Sequence, residues 1–295
     1  MKRTSVDPGI ALGLSAFVLW GLLPLYFKLL TAVPAPQVLA HRVIWSLLLL
    51  IGAAAVLRRL PAIRAAMTWR TLAMLSVSAA LIAVNWLTYI WAIQTGHVLE
   101  ASLGYFINPL INVALGVAVL GERLRRVQGI AIGLAAAGVL VLASGGVAQL
   151  WLPLTLALSF GVYGLIRKTV AIDALGGLLI ETTLLTPVAL AVLAYAHAGG
   201  QGAFGRDTEL DGLLILSGAL TAAPLLLFAA AARRLRYATL GLLQYVGPSL
   251  SFALAVLVFG EELRTAHVLT FALIWAGCGL YAWDSVREAK EPLAA

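Results

Sequence analysis

Residues 98–120 read VLEASLGYFINPLINVALGVAVL, and Glu100 is the only charge among them. A helix rises about 1.5 Å per residue, so about 20 apolar residues cross a hydrocarbon core of about 30 Å. A strand of a membrane barrel would instead alternate apolar and polar side chains. This stretch does not alternate. It predicts a membrane-spanning helix.

Nine further runs of the same character lie at 9–29, 38–57, 70–93, 127–144, 149–166, 175–196, 211–232, 238–259 and 266–284. The run at 149–166 is short, and the connections are brief. Of the 295 residues, 62% are apolar and 11% charged, whereas a soluble domain carries about 25% charged residues. The mean hydropathy is +0.98. A soluble core cannot hide so much apolar surface, but a lipid-facing one can. The expected fold is an all-α polytopic membrane protein with ten transmembrane helices.

The net charge of +7 reads as orientation, not as a nucleic-acid footprint. With the N-terminus assigned to the cytoplasm, only Lys28, Arg42, Arg206 and Arg264 of the 20 Lys and Arg residues fall outside. The basic doublets Arg58-Arg59, Arg125-Arg126, Arg167-Lys168 and Arg233-Arg234 all fall inside. That is a strong positive-inside bias, and an even number of spans puts both termini in the cytoplasm. The expected surroundings are a bilayer, with no nucleic-acid partner. The first run has no cleavage pattern followed by soluble chain, so it is expected to be retained. Cys278 is the only cysteine, and the four histidines have no metal-site spacing, so no disulfide, metal or other cofactor is expected.

The opening stretch also has an echo. Ala101-Ser102-Leu103-Gly104 returns as Ala238-Thr239-Leu240-Gly241, Asn108-Pro109 as Gly247-Pro248, Leu120-Gly121-Glu122 as Phe259-Gly260-Glu261, and Gly138 as Gly277. The offset is 137 at first and 139 afterwards, which predicts a two-residue difference inside the ninth helix region. The repeats are expected at 9–144 and 149–284, with five helices each. Five is odd, so the halves enter the membrane with opposite polarity. Inverted repeats are a common plan for transporters, although duplication can also serve a structural role.

Polar residues inside such helices need partners or a purpose. Glu181 lies six residues into its run, roughly 9 Å from the cytoplasmic start. It reads either as a proton-coupling or cation-binding carboxylate, or as a boundary-depth group paired with Arg167 or Lys168. Arg42 and Glu100 open the second and fourth helices on the outer side, where they are expected to pair near a cavity mouth. Headgroup snorkelling of Arg42 and helix capping by Glu100 are the ordinary alternatives. Trp20, Asn85, Trp86, Tyr89, Tyr105, Asn108, Tyr163, Gln244 and Tyr245 would suit a mostly apolar cavity with a few orienting groups. The alternative for them is helix-helix glue or interfacial belt aromatics. No phosphate-binding loop and no nucleophile elbow is present, so the reading is not an enzyme.

These pieces resemble the EamA family of the drug/metabolite transporter superfamily, and its RarD branch more specifically. The resemblance rests on Trp20-Gly21, Tyr26-Phe27-Lys28, the run His41-Arg42-Val43-Ile44-Trp45-Ser46, Asn85-Trp86 and the stretch from Leu99 to Leu110. In the second half it rests on Ile180-Glu181-Thr182, Gln244-Tyr245-Val246-Gly247-Pro248 and the Phe271–Trp275 run. It covers about residues 8–285. It implies a bacterial inner-membrane secondary transporter with two inverted EamA repeats. Such a protein would export small organic solutes, amino-acid-like metabolites or drugs such as chloramphenicol, with protons a candidate coupling ion. It also implies a central cavity lined by helices 1, 3, 4, 6, 8 and 9, which draws Asn85, Tyr89, Tyr105, Asn108, Tyr163 and Gln244 toward it. A non-transport membrane protein and a lipid-processing enzyme are the competing classes.

Overall fold

A computed structural model describes residues 8–121, 125–144, 150–232, 234–235 and 243–290. Lys2, Arg3, Glu122, Arg123, Arg233, Arg236 and the Ala238–Gly241 echo lie outside them. Every regular element among the described residues is a helix. In chain order these are α1 (Pro8–Leu29), α2 (Ala35–Val56), a short α3 (Leu60–Ala66), α4 (Trp69–Gln94), α5 (Val98–Leu120) and α6 (Arg126–Ser144). There follow α7 (Trp151–Thr169), α8 (Ala174–Ala198), α9 (Thr208–Ala232), α10 (Val246–Ala253), a π turn (Leu254–Val258) and α11 (Thr265–Lys290).

Eight of these helices are long and apolar enough to span a bilayer. The opening stretch forms one of them, α5. Leu140, Val188 and Leu257 are 70%, 63% and 81% exposed. An outer surface this apolar suits lipid and not water. The α7 helix is not among the eight; it carries Thr155, Ser159, Tyr163, Arg167 and Lys168.

The ninth apolar run departs from expectation. Gln244 and Tyr245 form a turn, α10 begins at Val246, and a π turn follows it. From Gly104 to Pro109 the first copy advances five positions, whereas from Gly241 to Pro248 the second advances seven. The turn at Gln244 and Tyr245 falls in this longer segment, directly before α10, where α5 runs unbroken through the matching Tyr105–Asn108 segment.

The principal contacts join the first five long helices to the second five. α6 packs on α11 and α2 on α8; α1 packs on α9 as α4 does on α7; α5 packs on α7 as α1 does on α10. Two pairs of matched glycines make this geometry possible. A Cβ on Gly138 would sit 3.1 Å from the Thr270 carbonyl oxygen, and one on Gly277 would sit 2.7 Å from that of Ala131. The bare backbones let α6 and α11 meet closely enough for Thr270 Oγ1 to donate to the Gly138 carbonyl at 3.0 Å. Gly121 and Gly260 both have positive φ, +66° and +67°, and end their helical segments in the left-handed conformation that glycine adopts without strain.

Candidate functional site

α4 supplies the spine of the polar interior. Thr68 caps its start by accepting from the Thr71 amide. Ser78, Ile82, Asn85, Trp86 and Tyr89 then follow at helical spacing, so they share one face, and all five are buried. Asn85 is 0% exposed. Its Nδ2 donates to the Leu156 carbonyl and to Ser159 Oγ, both at 3.0 Å, and its Oδ1 accepts from Tyr105 at 2.9 Å. Tyr105 and Tyr89 meet edge to face at 5.4 Å, and Tyr89 meets Phe27 at 6.0 Å.

One end of this spine meets a cation. Arg42 is 4% exposed. Its guanidinium carbon lies 4.4 Å from the Trp86 ring centroid and 5.7 Å from that of Phe27. Nε donates to Thr221 Oγ1 at 2.6 Å, whereas Nη1 is buried with no hydrogen-bond partner. The pocket is thus made by α1, α2, α4 and α9, and among the described residues no carboxylate lies within ion-pair distance of Arg42.

At the other end, Glu181 is 0% exposed and its carboxylate is fully engaged. Ser78 donates to Oε1 at 2.5 Å, Tyr163 to Oε2 at 3.4 Å, and Arg167 Nη1 lies 3.9 Å from Oε1. Arg167 can lie across α8 because Gly177 has no side chain: a Cβ there would overlap the guanidinium. Its other terminal nitrogen reaches the carbonyls of Asp173 and Ala174.

The expected Arg42–Glu100 pair does not form. Arg42 lies seven positions into α2 and turns toward the bundle centre, not toward headgroups. Glu100, in the first turn of α5, lines a cavity of about 390 Å³ with His97, Trp151, Glu261, Glu262, Arg264 and His267. Glu261 crosses this cavity wall to cap α5, accepting from the amides of Val98 at 2.8 Å and Leu99 at 2.7 Å. Burial pushes the Glu261 carboxyl above its ordinary range, opposed by those two amides and by Lys28, with Glu100 adding to the rise.

The remaining sequence-derived residues scatter around this core. Trp20 packs in a separate aromatic group with Phe17 and Phe228. Tyr245 stacks near Phe106, with its hydroxyl beside the Cys278 thiol. Asn108 is 0% exposed, and neither amide atom has a hydrogen-bond partner among the described residues. Gln244 is half-buried in the turn before α10. Sequence reasoning missed Thr221, Gly177 and the capping role of Glu261. A hydroxyl pair four apart in α9, Ser217 and Thr221, was the available signal for the first. The repeated Gly-Glu motif was the signal for the last.

A buried polar spine inside an apolar helical bundle defines a multi-pass membrane protein. The EamA-like transporter family matches residues 7–144. Protein RarD of Escherichia coli K12 is 45% identical, over 98% of this chain and 99% of that protein. An uncharacterized transporter of Pseudomonas aeruginosa is 45% identical over 99% and 100%, and the chloramphenicol-sensitive protein RarD of the same species is 38% identical over 96% of both. The chain belongs to the EamA-like transporter family. One solved crystal structure is similar in fold, with a TM-score of 0.62 at 19% identity over 96% of this chain and 100% of that one.

Proposed function

We propose that this chain is a secondary transporter of small organic solutes in the bacterial inner membrane, and not an enzyme. It would cross the bilayer ten times as two inverted halves, 9–144 and 149–284, with both termini cytoplasmic. The observation that carries the reading is the buried polar face of α4, held between helices of both halves and ending on Arg42. Helix-helix glue would satisfy its own polar groups. Here Arg42 Nη1 and both amide atoms of Asn108 have no hydrogen-bond partner among the described residues. The matched helix pairs support the inverted arrangement, and the turn at Gln244–Tyr245 before α10 is non-helical backbone of the kind from which transporters build central sites. Gln244, Tyr245 and Asn108 are accordingly proposed to join Asn85, Tyr89 and Tyr105 at the solute path.

Glu181 is proposed as the proton-coupling group, with Tyr163 and Ser78 as its hydrogen-bonding neighbours. The decisive experiment is flux into sealed proteoliposomes without ATP, using a panel of amino acids, organic acids and drugs, in both orientations of the gradient. Accumulation that collapses when the vesicles are made leaky supports a carrier. Absence of flux across the whole panel sinks this reading, and turnover of a panel compound in detergent replaces it with an enzyme.

A further inference from the structure

We infer that Arg42 is the recognition point for the carboxylate of an organic anion, so that the solute class is a carboxylate-bearing molecule with an apolar or aromatic body. This rests on the transport reading and narrows it.

A guanidinium remains charged in essentially every protein environment, and burial without a counter-charge is strongly unfavourable. Arg42 is buried, yet its contacts are two aromatic rings and one hydroxyl. The rings of Trp86 and Phe27 interact with the cation through their faces, which leaves the edge donors unanswered. Nε finds Thr221, and Nη1 finds nothing. The ionisable side chains closest to it electrostatically are Tyr26, Tyr89 and Tyr105, phenols that are neutral near pH 7. Two buried or half-buried carboxylates of the chain are committed elsewhere: Glu181 to Ser78, Tyr163 and Arg167, and Glu261 to the start of α5. No carboxylate among the described residues pairs with Arg42, which leaves the counter-charge to be supplied by the solute. A carboxylate matches the planar guanidinium edge through paired charge-assisted hydrogen bonds. Trp86 and Phe27, which already flank the cation, offer their rings to the body of the same molecule.

Access requires the surrounding helices to part, because Arg42 is occluded. Two of the four walls carry a proline one turn from the contact. Pro24 lies three residues before Phe27 in α1, and Pro224 lies three residues after Thr221 in α9. Each removes a backbone hydrogen bond where a bend would uncover the guanidinium.

The test pairs isosteric solutes: benzoate, phenylacetate and N-acetylphenylalanine, each beside its carboxamide. Thermal stabilisation of the full chain in detergent reads binding, and flux in sealed proteoliposomes reads transport. The expected result is tighter binding of at least one acid than of its amide, by about tenfold or more. Arg42→Gln should abolish that preference, and Arg42→Lys should restore part of it. The wild-type comparison decides even if Arg42→Gln does not fold. Equal binding of acids and amides, binding of none of the acids, or a response to chloride as strong as to the acids overturns the inference. Acid binding without flux leaves the carboxylate site standing and removes the transport reading. Flux of neutral or cationic solutes with no preference for acids does the reverse.

Discussion

Arg42 and Glu181 occupy opposite ends of the same buried face of α4, and they are satisfied in opposite ways. Glu181 has a cation, a serine and a tyrosine around it. Arg42 has two aromatic rings, one threonine and an unanswered donor. Both side chains are equally hidden, so burial alone does not distinguish them. The difference lies in the counter-charge. Glu181 has a guanidinium 3.9 Å away, whereas Arg42 has no ion partner among the described residues, although Nη1 of each arginine lacks a hydrogen-bond partner there. The two ends also differ in their walls. The Glu181 end is made by α4, α7 and α8, with a glycine that seats its arginine, whereas two of the four helices at the Arg42 end, α1 and α9, carry a proline one turn from the contact.

The largest expected effect contrasts the two charges directly. Arg42→Gln should lower flux of a carried solute by about tenfold or more while the protein still inserts. Glu181→Gln should insert equally well and keep downhill flux, but lose the response to an imposed pH gradient. Measuring flux with and without that gradient in both variants and the wild type breaks the comparison if the two substitutions behave alike. An equal gradient response in wild type and Glu181→Gln removes Glu181 as the coupling group.

Arg167→Ala comes next. It strips the cation from a buried carboxylate, which should destabilise the protein by about 3 kcal/mol. Combining it with Glu181→Gln should recover most of that loss, because the remaining groups are neutral. Melting temperatures in one detergent check this, and strictly additive losses would show that the two side chains are not coupled.

Tyr105→Phe removes the donor to Asn85 Oδ1 and leaves a buried carbonyl oxygen without that partner. A loss of about 1–2 kcal/mol is expected. A melting temperature equal to that of wild type would mean that water or a solute already serves Asn85.

The smallest effect concerns Glu261. Its folded pKa is raised above the ordinary value, chiefly by burial. The contribution of such a group is fully present below the unfolded pKa and is lost as pH rises through the folded one. Glu261→Gln removes this titration. The variant should therefore gain stability relative to wild type as pH rises from about 4 upward through the raised value. Melting curves across that window test the sign, and a constant difference between the two proteins would contradict it.

The all-helical, apolar character of the fold was legible in the chain, because long apolar runs are local signals. The α5 helix follows from one stretch of sequence, and the paired glycines at 121 and 260 follow from the echo. The polar face of α4 was legible in part, since Asn85 and Tyr89 are one turn apart. The break at Gln244–Tyr245 was visible only as a change of offset.

Sequence by itself determined an all-helical membrane protein and named most of the polar residues in its interior. Spacing along a helix reveals which residues share a face, because the helical period is constant. It does not reveal what stands opposite that face. Arg42 was expected near Glu100 because both open helices on one side, yet Arg42 is buried against Phe27, Trp86 and Thr221 whereas Glu100 lines a cavity wall. Only tertiary structure decided that Glu181 is paired while Arg42 is not. Partners 103 positions apart for Glu181 and 179 apart for Arg42 meet through packing, and pairing at that range leaves no trace in local composition or period.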